Sequence, residues 1–178
     1  MAGYIIEELD VHGVTGAKVV SAALASSEDA LFSLAEARGK RLMTRKCLQD
    51  RFYPEGVADQ TEQGLRESEE LIQRWHGRGR LGYAITPRFA PTSTDAQLAG
   101  AGELARQYPD VWIQSHVAEN LAEVRWVAEL FPQARSYLDV YDRFGLMRER
   151  AVYAHCIHFD DTDRALMRDT RTAAAICP

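Results

Sequence analysis

Two histidines and a glutamate follow apolar runs of this sequence and could share a site. His116 ends the apolar run 111–116, Glu119 comes three residues later, and His155 ends a second run that begins at Ala151. A neutral imidazole is the commonest metal ligand, and a carboxylate close to it suits a proton carrier. If both runs are neighbouring strands, His155 lies one strand spacing from His116, about 5 Å away. This spacing favours a shared site.

Each of these residues also has an ordinary structural interpretation. A histidine such as His116, taken alone, is about as often buried against a backbone carbonyl as bound to a metal ion. Glu119 could be solvated at the start of a helix, where the helix dipole favours a carboxylate. Arg88 could be an exposed loop charge, or it could present a planar donor fork beside the aromatic face of Phe89. The residues alone leave both interpretations of Arg88 open.

The remaining histidines and cysteines carry weaker signals. His158 could form a His-x-x-His pair with His155, but it falls beyond the strand, so we expect it in a loop. We expect His12 and His76, which lie away from the strand ends, to be structural or solvated. The cysteines are odd in number, far apart in sequence and without Cys-x-x-Cys spacing, and we expect them to be buried small hydrophobic residues: Cys47, Cys156 and Cys177.

Composition bounds the class of protein. The chain has 178 residues, of which 46% are hydrophobic and 26% charged, and this predicts one globular domain. A net charge of -5 offers no basic surface for a phosphate backbone, so we expect a small-molecule partner and no nucleic acid. No apolar run approaches the about 18 residues of a membrane span, and residues 1–10 lack the order of a signal peptide. We therefore expect a cytoplasmic protein without membrane contact.

The elements that must position these side chains alternate along the chain. Apolar β-favouring runs predict strands at 14–22, 41–48, 81–86, 111–116, 151–156 and 173–177. Helical spacing and polar starts predict helices between these strands. The first has its cap and first turn at residues 26–29 and ends at Gly39. The others are 61–75, 94–108, 121–130, 137–144 and one that starts at Asp160-Asp161. Strands that alternate with helices predict a parallel α/β fold.

Parallel βα units close either as a doubly wound sheet or as an eight-stranded TIM-type (β/α) barrel, and both carry their chemistry at the carboxyl ends of the strands. A doubly wound nucleotide-binding sheet needs a glycine-rich turn after its first strand. Gly13-Val14-Thr15-Gly16 precedes that strand and lacks the Gly-x-Gly-x-x-Gly spacing. The sequence therefore favours the barrel.

Three segments at these strand ends carry a resemblance to a known family. Residues 86–92 (TPRFAPT), 115–120 (SHVAEN) and 154–158 (AHCIH) closely resemble guanine deaminases, which belong to the metal-dependent amidohydrolase superfamily. The resemblance is most specific from residue 56 onward and looser before it. It implies a zinc-dependent hydrolase of purine catabolism that converts guanine and water to xanthine and ammonia, and it implies a homodimer in the complete form.

The resemblance also implies roles for the quoted residues. His116 corresponds to a metal ligand that also lies against the substrate, and Glu119 to the residue that binds the base and shuttles protons. His155 corresponds to a histidine that contacts the metal-bound water and the substrate. Arg88 and Phe89 correspond to the pair that holds the purine. The expected cofactor is Zn²⁺.

The sequence departs from the family in two places. It contains no His-x-His pair and it ends at Pro178, before the family's strand-ending aspartate, so the six predicted strands correspond to barrel strands two to seven. Residues 45–52 match their family segment poorly. We therefore expect residues 1–178 to be a single partial barrel domain that is inactive alone. Two alternatives stay open: a related hydrolase of another amine- or chlorine-bearing heterocycle, and a non-catalytic remnant.

Overall fold

A computed structural model describes residues 2–19, 24–53 and 59–177. The strands in these residues are β1 (Gly16–Lys18), β2 (Arg41–Thr44), β3 (Cys47–Leu48), β4 (Leu81–Pro87), β5 (Trp112–Val117), β6 (Ala151–His155) and β7 (Ala173–Ala175). The helices are α1 (Ala2–Val11), α2 (Ala25–Ala37), α3 (Thr61–Trp75), α4 (Asp95–Gln107), α5 (Leu121–Leu130), α6 (Tyr137–Arg143) and α7 (Asp161–Asp169), with a short 3-10 helix at Ala90–Thr92.

The strands form one parallel sheet. Neighbours follow the order β1-β2-β4-β5-β6-β7, and β3 pairs with β4 beyond the end of β2. In the register between β5 and β6, His116 lies opposite Ala154 and Val117 opposite His155. This is the parallel α/β architecture expected of a partial barrel, with the six predicted strands along one path.

The hydrophobic core lies between the sheet and its helices. Phe32 of α2 stacks on Trp75 of α3 with ring centroids 5.6 Å apart, and it lies 6.4 Å from the ring of Tyr83 on β4. All three side chains are buried, and aromatic residues supply much of the apolar area of such a core. On the other side of the sheet an open cavity of about 810 Å³ is lined by residues of five strands, among them Met43 and Trp112.

Several predicted elements match the structure. Helix α3 has the predicted bounds, and Gly39 ends the stretch after α2 with a φ of 61° that glycine adopts readily. Thr94 caps α4 by accepting the Gln97 amide, and Asp160 caps α7 in a capping box with Asp163. Within the described residues no helix is long and apolar enough to cross a membrane.

The amino-terminal part was predicted less well. Helix α1 was not foreseen; its buried Ile6 packs the helix onto α2. The first strand is only Gly16–Lys18, and the predicted residues 20–22 lie outside the described residues. Residues 26–29 were predicted as the cap and first turn of α2; the cap is wrong, because α2 already begins at Ala25 after Leu24, which makes no side-chain capping bond, but Glu28 does lie in the first turn.

The predicted strand 41–48 divides into β2 and β3. The break falls at Lys46, whose backbone amide donates to the hydroxyl of Tyr83 at 3.1 Å instead of joining the strand ladder. Its ammonium donates to Asp59 at 2.8 Å in a buried ion pair. The expectation of buried cysteines holds for Cys47 and is wrong for Cys177, which is exposed.

Candidate active site

His116 and His155 meet at the carboxyl edge of the sheet. Their rings are nearly parallel, with centroids 5.7 Å apart and an interplanar angle of 28°. The register between β5 and β6 produces this contact, since His155 follows the residue that pairs with His116. The predicted convergence of these two histidines is present in the structure.

The ring of His116 is fixed by a backbone carbonyl. Its Nδ1 lies 2.7 Å from the carbonyl oxygen of Arg88. A carbonyl oxygen only accepts, so Nδ1 carries the proton and donates, and Nε2 keeps its lone pair in the neutral ring. Metal-binding histidines are commonly oriented in this way, by a hydrogen bond from the nitrogen that does not bind the metal. Both interpretations of His116 in the sequence, carbonyl-bonded and ligand, are therefore compatible in one geometry.

The electrostatic surroundings keep His116 neutral. Burial lowers the pKa of its imidazole, and the positive groups of Arg45, His155 and Arg88 lower it further, while the bond to the Arg88 carbonyl acts in the opposite direction. A lowered pKa leaves Nε2 unprotonated at neutral pH, and an imidazole binds a metal ion only in that state.

His155 occupies a strained turn beside Glu119. Its φ is 76°, and the Cys156 amide donates to the Ala154 carbonyl at 3.2 Å across it, as in a γ-turn. Residues other than glycine pay for this conformation, and such strain is concentrated at functional sites. The turn leaves His155 Nε2 3.7 Å from Oε2 of Glu119, whose side chain is 53% exposed. The acid therefore faces the second histidine from the open side.

Arg88 and Phe89 follow β4 directly and border the same edge. The guanidinium carbon of Arg88 lies 5.5 Å from the centre of the Phe89 ring, and its Nη1 donates to Gln49 at 3.3 Å. Phe89 forms an isolated parallel bridge with His116, which joins the pair to the histidine site. The Phe89 ring also meets Trp126 of α5 edge-on at 6.3 Å. The arrangement agrees with the donor fork beside an aromatic face, although Arg88 is also exposed.

Sequence reasoning missed Tyr141, which holds these strand ends together. Its buried hydroxyl donates to the carbonyl of His116 at 2.8 Å, accepts the amide of Ala90 at 2.9 Å and lies 2.9 Å from Oγ of Ser115. Ser115 in turn donates to the carbonyl of Pro87 at 2.8 Å. Tyr141 is fully buried, and burial raises the pKa of its hydroxyl above the usual value. No sequence signal marked Tyr141, because its partners lie 25 to 51 residues away.

Glu123 was also missed. Asn120 caps α5 by accepting the Glu123 amide at 2.9 Å, and the Glu123 carboxyl is only 8% exposed. Burial raises its pKa, and repulsion by Glu119 adds to the effect. The Asn-x-x-Glu spacing is typical of a helix start and could have identified this acid.

The other sequence candidates lie apart from this group. His158 is an exposed loop residue, as expected. His12 lies on the surface with Nδ1 2.9 Å from the Glu8 carbonyl, and His76 bonds Asp110 at 3.1 Å at the opposite edge of the sheet. Both histidines have the structural or solvated roles that the sequence predicted.

The donor set fits one metal ligand and not a complete site. Across residues 2–19, 24–53 and 59–177, no three His, Cys, Asp or Glu side chains converge to hold a metal ion. A catalytic zinc site takes three protein ligands with a fourth position open. His116, with its fixed Nδ1 and available Nε2, fits the role of one such ligand.

Known proteins are similar to this chain over its whole length. The sequence profile described as the amidohydrolase family matches residues 6–178. Guanine deaminase of Escherichia coli (strain K12) is 41% identical over 178 residues, which are 100% of this chain and 40% of that protein. The expected resemblance is confirmed.

Solved structures agree. The structure of E. coli guanine deaminase matches with a TM-score of 0.97 and 41% identity over 99% of this chain and 41% of that one. Guanine deaminase from C. acetobutylicum, with guanine bound in the active site, matches with a TM-score of 0.94 and 28% identity over 99% of this chain and 42% of that one. The chain spans about two fifths of the relatives it matches. Because the family profile covers nearly all of it, the chain belongs to the amidohydrolase family.

Proposed function

We propose that this chain forms the substrate side of a hydrolytic guanine deaminase site in a longer protein. The observation that carries the proposal is the group formed by His116, His155 and Glu119 beside the Arg88 and Phe89 pair. The likeness to guanine deaminases at 41% identity supports guanine as the substrate. The reaction replaces the exocyclic amine of guanine by oxygen from water, which gives xanthine and ammonia.

Each side chain has one task in this proposal. Arg88 donates to the carbonyl oxygen of guanine, and Phe89 packs against the purine ring. A site that pairs a polar group discriminates strongly against analogues that lack it. The exposed carboxylate of Glu119 takes one proton from the attacking water and delivers it to the ring nitrogen. It then takes the second proton from the hydroxyl of the tetrahedral adduct and delivers it to the amine, which leaves as ammonia while the new carbonyl forms. His155, within reach of that carboxylate, orients the attacking water.

Zinc is the metal ion we propose for the complete site. His116 holds it through Nε2, and its other ligands come from parts of the longer protein. A bound zinc ion supplies an activated water at neutral pH. The described residues provide one well-formed ligand, His116, so we expect the 178-residue chain alone to have no measurable deaminase activity.

The decisive experiment uses the longer protein with Glu119→Gln. We expect the variant to keep its metal content and lose about 10²- to 10⁴-fold in turnover, the usual contribution of a general acid and base. The matched control is Glu129→Gln, which changes an exposed carboxylate near the end of α5, the helix that follows Glu119. Turnover of the Glu119 variant equal to that of the control would contradict the proposed role.

A second variant separates the substrate classes. Arg88→Ala should weaken guanine turnover far more than turnover of a heterocycle that lacks the carbonyl group. If all substrates of a panel lose activity equally, the alternative of a hydrolase acting on another heterocycle gains over guanine. A non-catalytic remnant would instead show no metal and no turnover in the longer protein.

The proposal also covers the domain organisation, the location and the oligomeric state of the protein. Residues 1–178 constitute one partial barrel domain, and the complete protein acts as a cytoplasmic homodimer in purine catabolism. Light scattering on the complete protein measures the dimer directly.

A further inference from the structure

The inner face of the sheet carries positive charge without a matching acid. The cavity of about 810 Å³ is lined by Lys18, Arg41, Arg80 and Arg150, and none of its described lining residues is acidic. The excess is local, because the whole chain has a net charge of -5. Arg150 donates to the carbonyl of Asp110, and the Asp110 carboxylate also bonds His76. The part of the cavity near Arg150 and His76 therefore has an acid close by. The part near Lys18 has no acidic residue in its described lining.

Lys18 and Arg45 are interior cations whose buried donor atoms lack hydrogen-bond partners among the described residues. The Nζ atom of Lys18 is buried and makes no hydrogen bond with the described residues, and it lies 6.0 Å from the centre of the Trp112 ring. Arg45 is only 1% exposed, yet its Nε and Nη1 have no hydrogen-bond partner there either. Buried charges are ordinarily paired, because a charge that is removed from water without a partner destabilises the folded state.

The strand register brings these two side chains to the same face. Lys18 of β1 pairs with Met43 of β2, and Arg45 lies two residues beyond Met43, which makes it a diagonal neighbour of Lys18. The residues on either side of Arg45 point to the helices, since Thr44 donates to Glu28 of α2 and Lys46 pairs with Glu67 of α3. Arg45 directly follows β2, and successive side chains of an extended chain alternate, so Arg45 points to the inner face with Met43.

We propose that Lys18 and Arg45 form a carboxylate-binding site on the inner face of the sheet. An arginine fork matches the two oxygens of a carboxylate, and an ammonium adds a further donor from the neighbouring strand. Gln114 on β5 has an unpartnered buried Oε1, but an amide oxygen carries no charge and cannot neutralise the pair. The ligand is either a carboxylate side chain from the rest of a longer protein or a free carboxylate. This inference is independent of the proposed deamination.

The charge state of Lys18 supports the site. Burial lowers the pKa of its ammonium to about 8, and repulsion by Arg45 contributes to the same shift. A bound carboxylate opposes both effects and raises this pKa, since an opposite charge nearby favours the charged form by about 1–3 pH units.

The chain is convenient for the test because it has only three lysines, Lys18, Lys40 and Lys46. In the 178-residue chain with ¹³C-labelled lysine, NMR follows the titration of Lys18, while buried Lys46 and half-buried Lys40 report that the fold is intact. We expect a Lys18 midpoint near 8 in chloride and a rise of about one pH unit in acetate of equal ionic strength. Arg45→Gln should raise the midpoint in chloride and abolish the response to acetate. Arg80→Gln, which removes another cation of the same cavity, should change neither.

The longer protein distinguishes the two sources of the carboxylate. A Lys18 midpoint that is already raised there and insensitive to acetate identifies a carboxylate side chain of the protein. A midpoint near 8 that still rises in acetate identifies a free carboxylate as the ligand. The proposal is overturned if acetate leaves the Lys18 midpoint unchanged in both proteins while it stays near 8. It is equally overturned if the 178-residue chain already shows an ordinary lysine midpoint in chloride, because a group of this chain then pairs with Lys18.

Discussion

Replacing Tyr141 by phenylalanine tests whether its hydroxyl organises the strand ends. The substitution removes one buried oxygen and keeps the ring, which packs 4.8 Å from the ring of Tyr153. It leaves the Ala90 amide and the His116 carbonyl without the bonds of 2.9 and 2.8 Å that they make to this hydroxyl. The loss therefore concerns two backbone groups at the two strand ends that carry the site.

The expected magnitude follows from these two bonds. A typical hydrogen bond contributes about 0.5–1.5 kcal/mol net, so their loss costs about 1–3 kcal/mol of unfolding free energy. In a domain of this size each kcal/mol lowers the melting temperature by about 2–4 °C. Urea denaturation of the 178-residue chain, followed by circular dichroism, measures the change directly.

Tyr137→Phe is the matched control. Tyr137 lies one turn earlier on α6, stacks on Tyr141 at 5.9 Å and is also buried, but its hydroxyl makes no hydrogen bond within normal geometric limits to any described residue. This variant should lower the unfolding free energy by less than Tyr141→Phe does, because its hydroxyl bonds no backbone group. The reasoning fails if Tyr141→Phe is as stable as the original chain, or if both variants lose the same amount.

Two further predictions concern buried charges. Lys46→Met should destabilise the chain by about 3–5 kcal/mol, because it leaves the Asp59 carboxylate buried and unpaired. In urea denaturation, Lys46→Met combined with Asp59→Leu should recover most of that loss. If the effects of the two substitutions simply add, the pairing is refuted. Glu123→Gln should become more stable relative to the original chain as pH rises above about 4.5. The pKa of Glu123 is raised in the folded state, so folding of the original chain requires uptake of a proton there, and the variant avoids this cost. Stability curves of the two proteins that run parallel from pH 4 to 8 would contradict this.

Much of the fold could be predicted because its signals are local. Apolar runs followed by polar residues locate β4, β5 and β6, and the capping residues Thr94 and Asp160 locate two helix starts. The division of the strand at 41–48 could not be predicted, since it depends on a bond from Lys46 to Tyr83, 37 residues later. Helix α1 was missed because its sequence carries a weak pattern and its burial depends on contact with α2.

The candidate site was predictable to the same extent. The rule that parallel strands carry chemistry at their carboxyl ends led to His116, His155 and the Arg88 and Phe89 pair, because it needs only strand positions. The Tyr141 hydroxyl and the inner cations Lys18 and Arg45 depend on which face each side chain takes. For the two cations that choice is fixed by strand register, and for Tyr141 by the packing of α6 against the strand ends; no short sequence pattern reveals either.

The geometry of His116 suits it to the role of one ligand in the metal site that we propose. Its ring is oriented by the Arg88 carbonyl at Nδ1, and its backbone is held by the bond from the Tyr141 hydroxyl to its own carbonyl. Because Nδ1 is engaged by Arg88, Nε2 is the nitrogen that would bind the metal ion. A ligand oriented in advance loses little conformational freedom when a metal ion binds. In the proposed site, the segments that supply the other ligands would therefore not need to reorganise His116.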